Sequence, residues 1–301
     1  MIGYDAGNAW VEAAERAEGP SSVPTNMHVE LLIDVGGDEA YRAVVSDWLA
    51  SAITAVFPEV PGAAYPHSSL GAASLQFGGR SRSRKFTAAN LDWALNEAVA
   101  GCSIWWAVTR SGVRDHAMAR VRRDDVDKSF AQLILDVPEE LFVDRSVQQR
   151  VLEVVRELAD ITDSVFGAVG YGGDATRTEL EYALRSYGVF SEYPAARQYL
   201  RGYDWVTVVP KEIAADLGGV GALTDSGAFH RVVGLASGAV VLVATEEFSE
   251  YGDVAARRVF ETVARVLKPG LPRPRPQLGV PRPRTPLVLQ DAADYGADLR
   301  T

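Results

Sequence analysis

The chain offers few residues with the types and spacing to do chemistry. Its four histidines, His28, His67, His116 and His230, stand apart in sequence. None belongs to a His-x-x-x-His or His-Glu-x-x-His pair, so no helix presents two imidazoles to a metal. His28 and His230 open predicted strands and His116 sits near a turn, positions that read as strand ends or surface. Cys102 follows a helix stop and precedes an apolar strand. It reads as a buried, inert thiol, because a thiolate nucleophile needs a neighbouring base. As the only cysteine it excludes an intramolecular disulfide framework and a Cys-based structural zinc site, and it fits a reducing cytoplasm. There is no Gly-x-Ser-x-Gly elbow: Gly234-Leu-Ala-Ser237-Gly238 places its serine one residue late and in a hairpin turn.

Two further segments imitate binding loops. Asp125-Val-Asp127-Lys-Ser129 begins like a calcium loop, but Phe130 occupies the sixth position, where a sharp turn needs glycine. Gly167-Ala-Val-Gly170-Tyr-Gly172-Gly173-Asp is glycine-dense after a strand, yet it lacks both Gly-x-Gly-x-x-Gly spacing and a Walker Lys-Ser/Thr. It reads as a flexible turn or bulge. The basic run Arg80-Ser-Arg-Ser-Arg-Lys85 reads as a solvated loop, since no interleaved aromatics accompany it. The expected catalytic, cofactor-binding and metal-binding residues are therefore none. What stands out is an acidic stretch, Glu246-Glu247-Phe-Ser-Glu250-Tyr-Gly-Asp253, at a hairpin exit. Acids there suit a helix N-terminus, and they also suit a basic protein partner. Glu246, Glu247, Glu250 and Asp253 are the expected partner-binding residues.

These residues must be positioned by ordinary globular elements. The chain of 301 residues is 47% hydrophobic and 23% charged, which excludes a disordered or fibrous class. The longest apolar runs, such as 239–244, fall far short of the ~20 residues of a membrane helix. Net charge is −10, and the six basic and three acidic residues of 268–301 leave −13 on residues 1–267. Such a balance argues against nucleic-acid or anionic-membrane binding. Seven prolines between Pro269 and Pro286, interleaved with arginines, predict an extended tail rather than helix or central strand. Leu287–Leu289 could pin its far end as an edge strand.

The clearest helix is 41–56. Tyr41, Val44, Val45, Trp48, Leu49, Ala52, Ile53 and Val56 recur at helical spacing on one face. Further helices are expected at 5–18, 87–100, 147–161, 178–187, 211–217 and 254–267. Strands are expected at 28–35, 70–77, 103–109, 117–122, 130–137, 164–171, 204–209, 231–235 and 239–244. Alternation along the 204–209 strand predicts Trp205 buried beneath the last helix. Helices interrupt runs of antiparallel strands, which indicates an α+β fold: antiparallel sheets with helices packed on one face. The domain reading is one body, 1–267, with lobes 1–128 and 129–267 as its natural division, and a tail, 268–301.

The C-terminal part resembles a bacterial family of immunity proteins associated with polymorphic and type VI secreted toxins. The matching words are Arg201-Gly202-Tyr-Asp-Trp205-Val-Thr-Val-Val209, Leu217-Gly218-Gly219, Gly252-Asp253 and the closing 263–269 segment. Leu133–Leu141 with its Val137-Pro138-Glu-Glu, and Gly170-Tyr171, also fit, so the resemblance spans about residues 130–270. It implies a soluble cytoplasmic α+β protein that neutralises a cognate toxin by binding it, with no cofactor and no catalysis. Two other functions compete with that expectation. One is an enzyme using His116 beside Asp115, with Arg114 and Arg120 nearby. The other is a structural adaptor held by its Pro/Arg tail within a phage particle or secretion assembly.

Overall fold

The structure, a computed structural model, describes residues 26–59, 67–74, 81–85, 87–97, 102–109, 116–123, 129–171, 177–185, 194–274 and 284–296. The helix expected at 5–18 and the segment 124–128 lie outside them. Among the described residues ten strands form one antiparallel sheet: β1 Asn26–Asp34, β2 His67–Ser74, β3 Ser81–Lys85, β4 Cys102–Thr109, β5 His116–Arg123, β6 Phe130–Pro138, β7 Asp163–Tyr171, β8 Val206–Val209, β9 Arg231–Gly234 and β10 Val240–Val243. Their spatial order is β3-β2-β4-β5-β6-β1-β7-β8-β10-β9. The sheet runs unbroken through β1, whose Glu30 lies opposite Ile134 on β6 and Ala168 on β7.

The helices among the described residues are α1 Asp38–Val56, α2 Ala88–Asn96, α3 Glu139–Phe142, α4 Arg145–Ile161, α5 Glu179–Ala183, α6 Lys211–Asp216, α7 Gly219–Asp225 and α8 Asp253–Val263. This is the α+β architecture that the interrupted strand runs predict. Along β5 the buried residues Ala117, Ala119, Val121 and Arg123 alternate with half-buried ones, so one face is core. Arg123 marks which helix covers that face: its guanidinium stacks over the Tyr41 ring of α1 at 4.8 Å and pairs with Asp38. The apolar stripe of α1 is buried as its spacing requires, with Val44 partly so. Trp48 is wholly buried, and its Nε1 donates to the carbonyls of Arg120 (3.1 Å) and Ile134 (3.2 Å), so the polar handle of the indole is satisfied inside the core. Alongside it, α4 buries Val147, Val151, Leu152, Val155 and Leu158, and Arg150 Nε donates to Ala55 O at 2.7 Å.

Several expectations shift. The basic run 80–85 contributes an edge strand, not a loop. Arg82 and Arg84, two residues apart, both engage α2: Arg84 stacks on Trp93 at 4.1 Å and Arg82 meets Glu97. Residues 82–85 are exposed, as the composition of the run indicates, and the two arginines on one side of the strand both reach the same helix. The 70–77 strand sits three residues earlier, at 67–74, and 178–187 shortens to α5. Gly218, at φ +89°, stops α6 as expected, but α7 begins at once, with Gly219 at φ +73° as its first residue. Leu287–Leu289 does pin the returning tail, though not as a strand. Buried Val288 donates its backbone N–H to Tyr203 Oη at 2.9 Å, and Thr285 hydrogen-bonds Asp204.

Replacing Trp48 with alanine should cost about 3–5 kcal/mol, because both its volume and its two hydrogen bonds are lost inside the core. Denaturant melts check this, and a loss below about 1 kcal/mol would show that α1 does not carry the core.

Candidate functional site

Every residue of Arg201-Gly202-Tyr203-Asp204-Trp205 has an identifiable structural task. Arg201 is only 2% exposed at its side chain. Its Nη1 donates to Glu30 Oε1 at 2.7 Å, and its Nε and Nη2 reach the two carboxylate oxygens of Glu181 at 2.8 and 3.0 Å. Gln132 donates to the same Glu30 oxygen at 2.8 Å, and the guanidinium lies over Phe166. Burial pushes the Glu30 carboxyl up, but the Arg201 charge, His28 and the hydrogen bonds outweigh it and hold the group below its usual range. Glu181 also belongs to the capping box of α5 with Thr178, whose hydroxyl donates to Arg201 O. Gly202 packs against that threonine, where a Cβ would stand 2.9 Å from Thr178 Oγ1.

Asp204 sits on Gly170 of β7, its carboxyl filling the space a side chain there would need. This explains the glycines of β7: Gly167 and Gly170 lie within the strand and admit Val208 and Asp204, rather than making the turn or bulge the sequence indicates. Burial pushes the Asp204 carboxyl up to about 8, against the Trp205 N–H and Thr285 hydroxyl that favour the carboxylate. Beside it, His28 Nδ1 lies 2.9 Å from Asp136 Oδ1 while its Nε2 is buried without a hydrogen-bond partner. Burial lowers the affinity of His28 for a second proton, yet Asp136 and Glu30 together raise it overall. His116, the centre of the expected acid/base cluster, has its pKa held down by burial, against the opposing pull of Asp136. Asp115 and Arg114 lie outside the described residues, and Arg120 Nη2 sits 3.8 Å from Asp136. The described residues bring together no group of three His, Cys, Asp or Glu side chains fit for a metal.

Trp205 is fully buried, as predicted. Its ring meets Phe142 of α3 (5.9 Å) and Phe248 (5.7 Å), and it is Tyr203 that faces Phe260 of α8. Phe248 lies in the middle of the acidic stretch and acts as its peg. It packs edge-on against Phe142, Trp205 and Tyr171, and its N–H donates to Gln148 of α4. Pinning Phe248 turns its acidic neighbours outward. Glu246 and Glu250 are exposed and Glu247 half-exposed. Arg145, at the start of α4, pairs with Glu246 and lies 3.5 Å from Glu247, while exposed Asp144 caps the helix beside it. Glu247 and Glu250 also cap each other across one 3-10 turn, and exposed Asp253 opens α8. Of the four expected partner-binding acids, Glu246 and Glu247 meet Arg145, Glu250 is tied to Glu247 by the mutual cap and Asp253 opens α8, with exposed Val143 (66%) and Val254 (74%) next in the chain to Asp144 and Asp253. The sequence signal for this arrangement is the pair of aromatics amid the acids, Phe248 and Tyr251, both of which are buried.

No family model matches the chain, and no curated protein matches it. Among solved structures a Pseudomonas aeruginosa T6SS protein is similar, with a TM-score of 0.56 over 94% of this chain and 84% of that one at 12% identity. That likeness shows a shared fold. Among the described residues no helix is long and apolar enough to cross a membrane.

Asp204 makes stability depend on pH. Its folded pKa lies above the unfolded value of about 3.9, so the folded state keeps a proton that the unfolded state releases. The stabilising contribution is present below pH ~4 and is lost as pH rises through about 8. Thermal melts of Asp204→Asn should decline less between pH 6 and 9 than those of the parent protein, and parallel slopes would contradict the assignment.

Proposed function

We propose that this chain is a non-enzymatic immunity protein of the cytoplasm that neutralises a secreted bacterial toxin by stoichiometric binding. The observation that carries the reading is the acidic corner. Glu246, Glu247 and Glu250 are held outward around Phe248, with Arg145 at Glu246 and Glu247 and Asp144 beside it, and Asp253 follows as the first residue of α8. Opposed potentials raise association rate and select partners, so a surface of this sign suits a basic toxin. Val143 and Val254 add exposed apolar area to an otherwise polar rim, the mixture that protein interfaces use. The fold likeness to a T6SS protein of Pseudomonas aeruginosa supports a secretion-related role, and the resemblance of residues 130–270 to immunity proteins supports the finer one.

Arg145 and the mutual capping of Glu247 and Glu250 give these acids local structural work as well. Glutamine separates the two tasks, because it keeps the hydrogen bonds of the cap and removes the charge. A variant carrying Glu246→Gln, Glu247→Gln and Glu250→Gln should melt within a few degrees of the parent. With a secreted toxin that the parent protein neutralises, it should associate about tenfold more slowly at low salt and show a flatter salt dependence. An association rate that does not change with salt in the parent protein, or a toxin that forms no 1:1 complex with it, would contradict the proposal.

A further inference from the structure

A polar cleft lies where β1, β7 and the start of α5 meet, and its floor follows from strand register. His28 stands opposite Asp136 on β6 and Gly170 on β7, so these positions rise on one face of the sheet. Glu30, two residues along β1, rises on the same face opposite Ala168. Gly170 has no side chain and Ala168 only a methyl, which leaves space above β7, and the Asp204 carboxyl takes the Gly170 end of it. Arg177, Thr178, Glu179 and Tyr203 complete the polar lining, and Tyr171 adds ring surface. The enclosed volume is about 30 Å³, room for one or two water-sized groups.

Several lining groups have hydrogen bonds still to make. His28 commits its Nδ1 to Asp136, while its Nε2 is buried with no hydrogen-bond partner. Buried polar atoms in folded proteins are nearly always paired, so this one points to a ligand. Tyr203 Oη accepts the Val288 N–H and keeps its own proton to give. The Asp204 oxygens accept one bond each, from Trp205 N–H and the Thr285 hydroxyl, and each has capacity for another.

Charge selects what can enter. Burial opposes the charged form of His28, but Asp136 and Glu30 outweigh it, so His28 and Arg177 bring positive charge. Glu30 and Glu179 bring negative charge, and Asp204, pushed up to about 8 by burial, adds none at neutral pH. An anion would meet the two glutamates and a cation would meet His28 and Arg177, so the lining favours a neutral group. A hydroxyl is neutral, water-sized, and both donates and accepts. We propose that the cleft binds a neutral polyol of the sugar class through a pair of neighbouring hydroxyl groups. One hydroxyl would meet His28 Nε2 and an Asp204 oxygen, and its neighbour would meet Tyr203 and Glu179. The inference makes no use of the toxin-binding reading and stands without it.

The test uses the full chain with D-glucose, D-galactose, D-mannose and D-ribose, and with acetate, ammonium and acetamide as ionic and amide controls. At least one sugar should shift the His28 ring nitrogens saturably, with a Kd below about 10 mM and at least about tenfold tighter than any control. Ala168→Leu, which fills the cleft and keeps its polar groups, should weaken that sugar at least about tenfold. Glu179→Ala should weaken it severalfold, and it decides the matter alone if the leucine variant does not fold. Melting temperatures close to the parent's show that the loss is not unfolding. Shifts that stay linear to about 100 mM for all the sugars would overturn the proposal. So would a control that binds as tightly, or unchanged affinity in the variants that fold. An ordered water that cross-relaxes with His28 and that no sugar displaces would overturn it too.

Discussion

The buried charge of Arg201 is the constraint around which the C-terminal half is arranged. A guanidinium taken out of water costs several kcal/mol unless its donors meet carboxylates in good geometry. Here Glu30 on the central strand and Glu181 on α5 supply them, with side chains of all three groups no more than 9% exposed. Those partners come from segments about 150 residues apart in sequence, so satisfying one side chain fixes where three segments must lie. The neighbouring residues follow from that placement. Gly202 allows the turn past Thr178, Tyr203 receives the returning tail, Asp204 settles on Gly170, and Trp205 reaches the ring cluster at α3.

That arrangement also decides what is left for the surface. With Trp205, Phe142 and Tyr171 built into a cluster, Phe248 has a fixed socket, and the acids on both sides of it can only face water or Arg145. The Arg201–Trp205 segment is therefore a framework segment. Its residues touch each other and the core, and the groups available to a partner are those the framework holds outward.

Much of this was legible from spacing. The stripe on α1, the strands of the central sheet and the β9–β10 hairpin follow from periodicities that local chemistry produces directly. β3 was not legible, because alternating serine and arginine carries no apolar face, and its pairing comes from β2 and from Trp93 and Glu97 of the α2 segment. The glycines of β7 misled for a related reason: they answer to Asp204 and Val208, more than thirty residues away. Phe248 could be seen as an anomaly among acids, but its socket is assembled from α3, β7 and the start of β8, which no local pattern connects. Arg201 shows the same limit. A lone arginine before a glycine carries no sign of burial, and its two carboxylates lie far along the chain.

The most direct measurement is a thermodynamic cycle on this cluster at pH 7. Arg201→Ala alone should destabilise the protein by about 3–5 kcal/mol, since it leaves Glu30 and Glu181 buried without compensation. Adding Glu30→Gln and Glu181→Gln to it should recover part of that loss, because the stranded charges are gone. Losses that simply add across the three positions, or an Arg201→Ala variant as stable as the parent, would contradict the role given to Arg201.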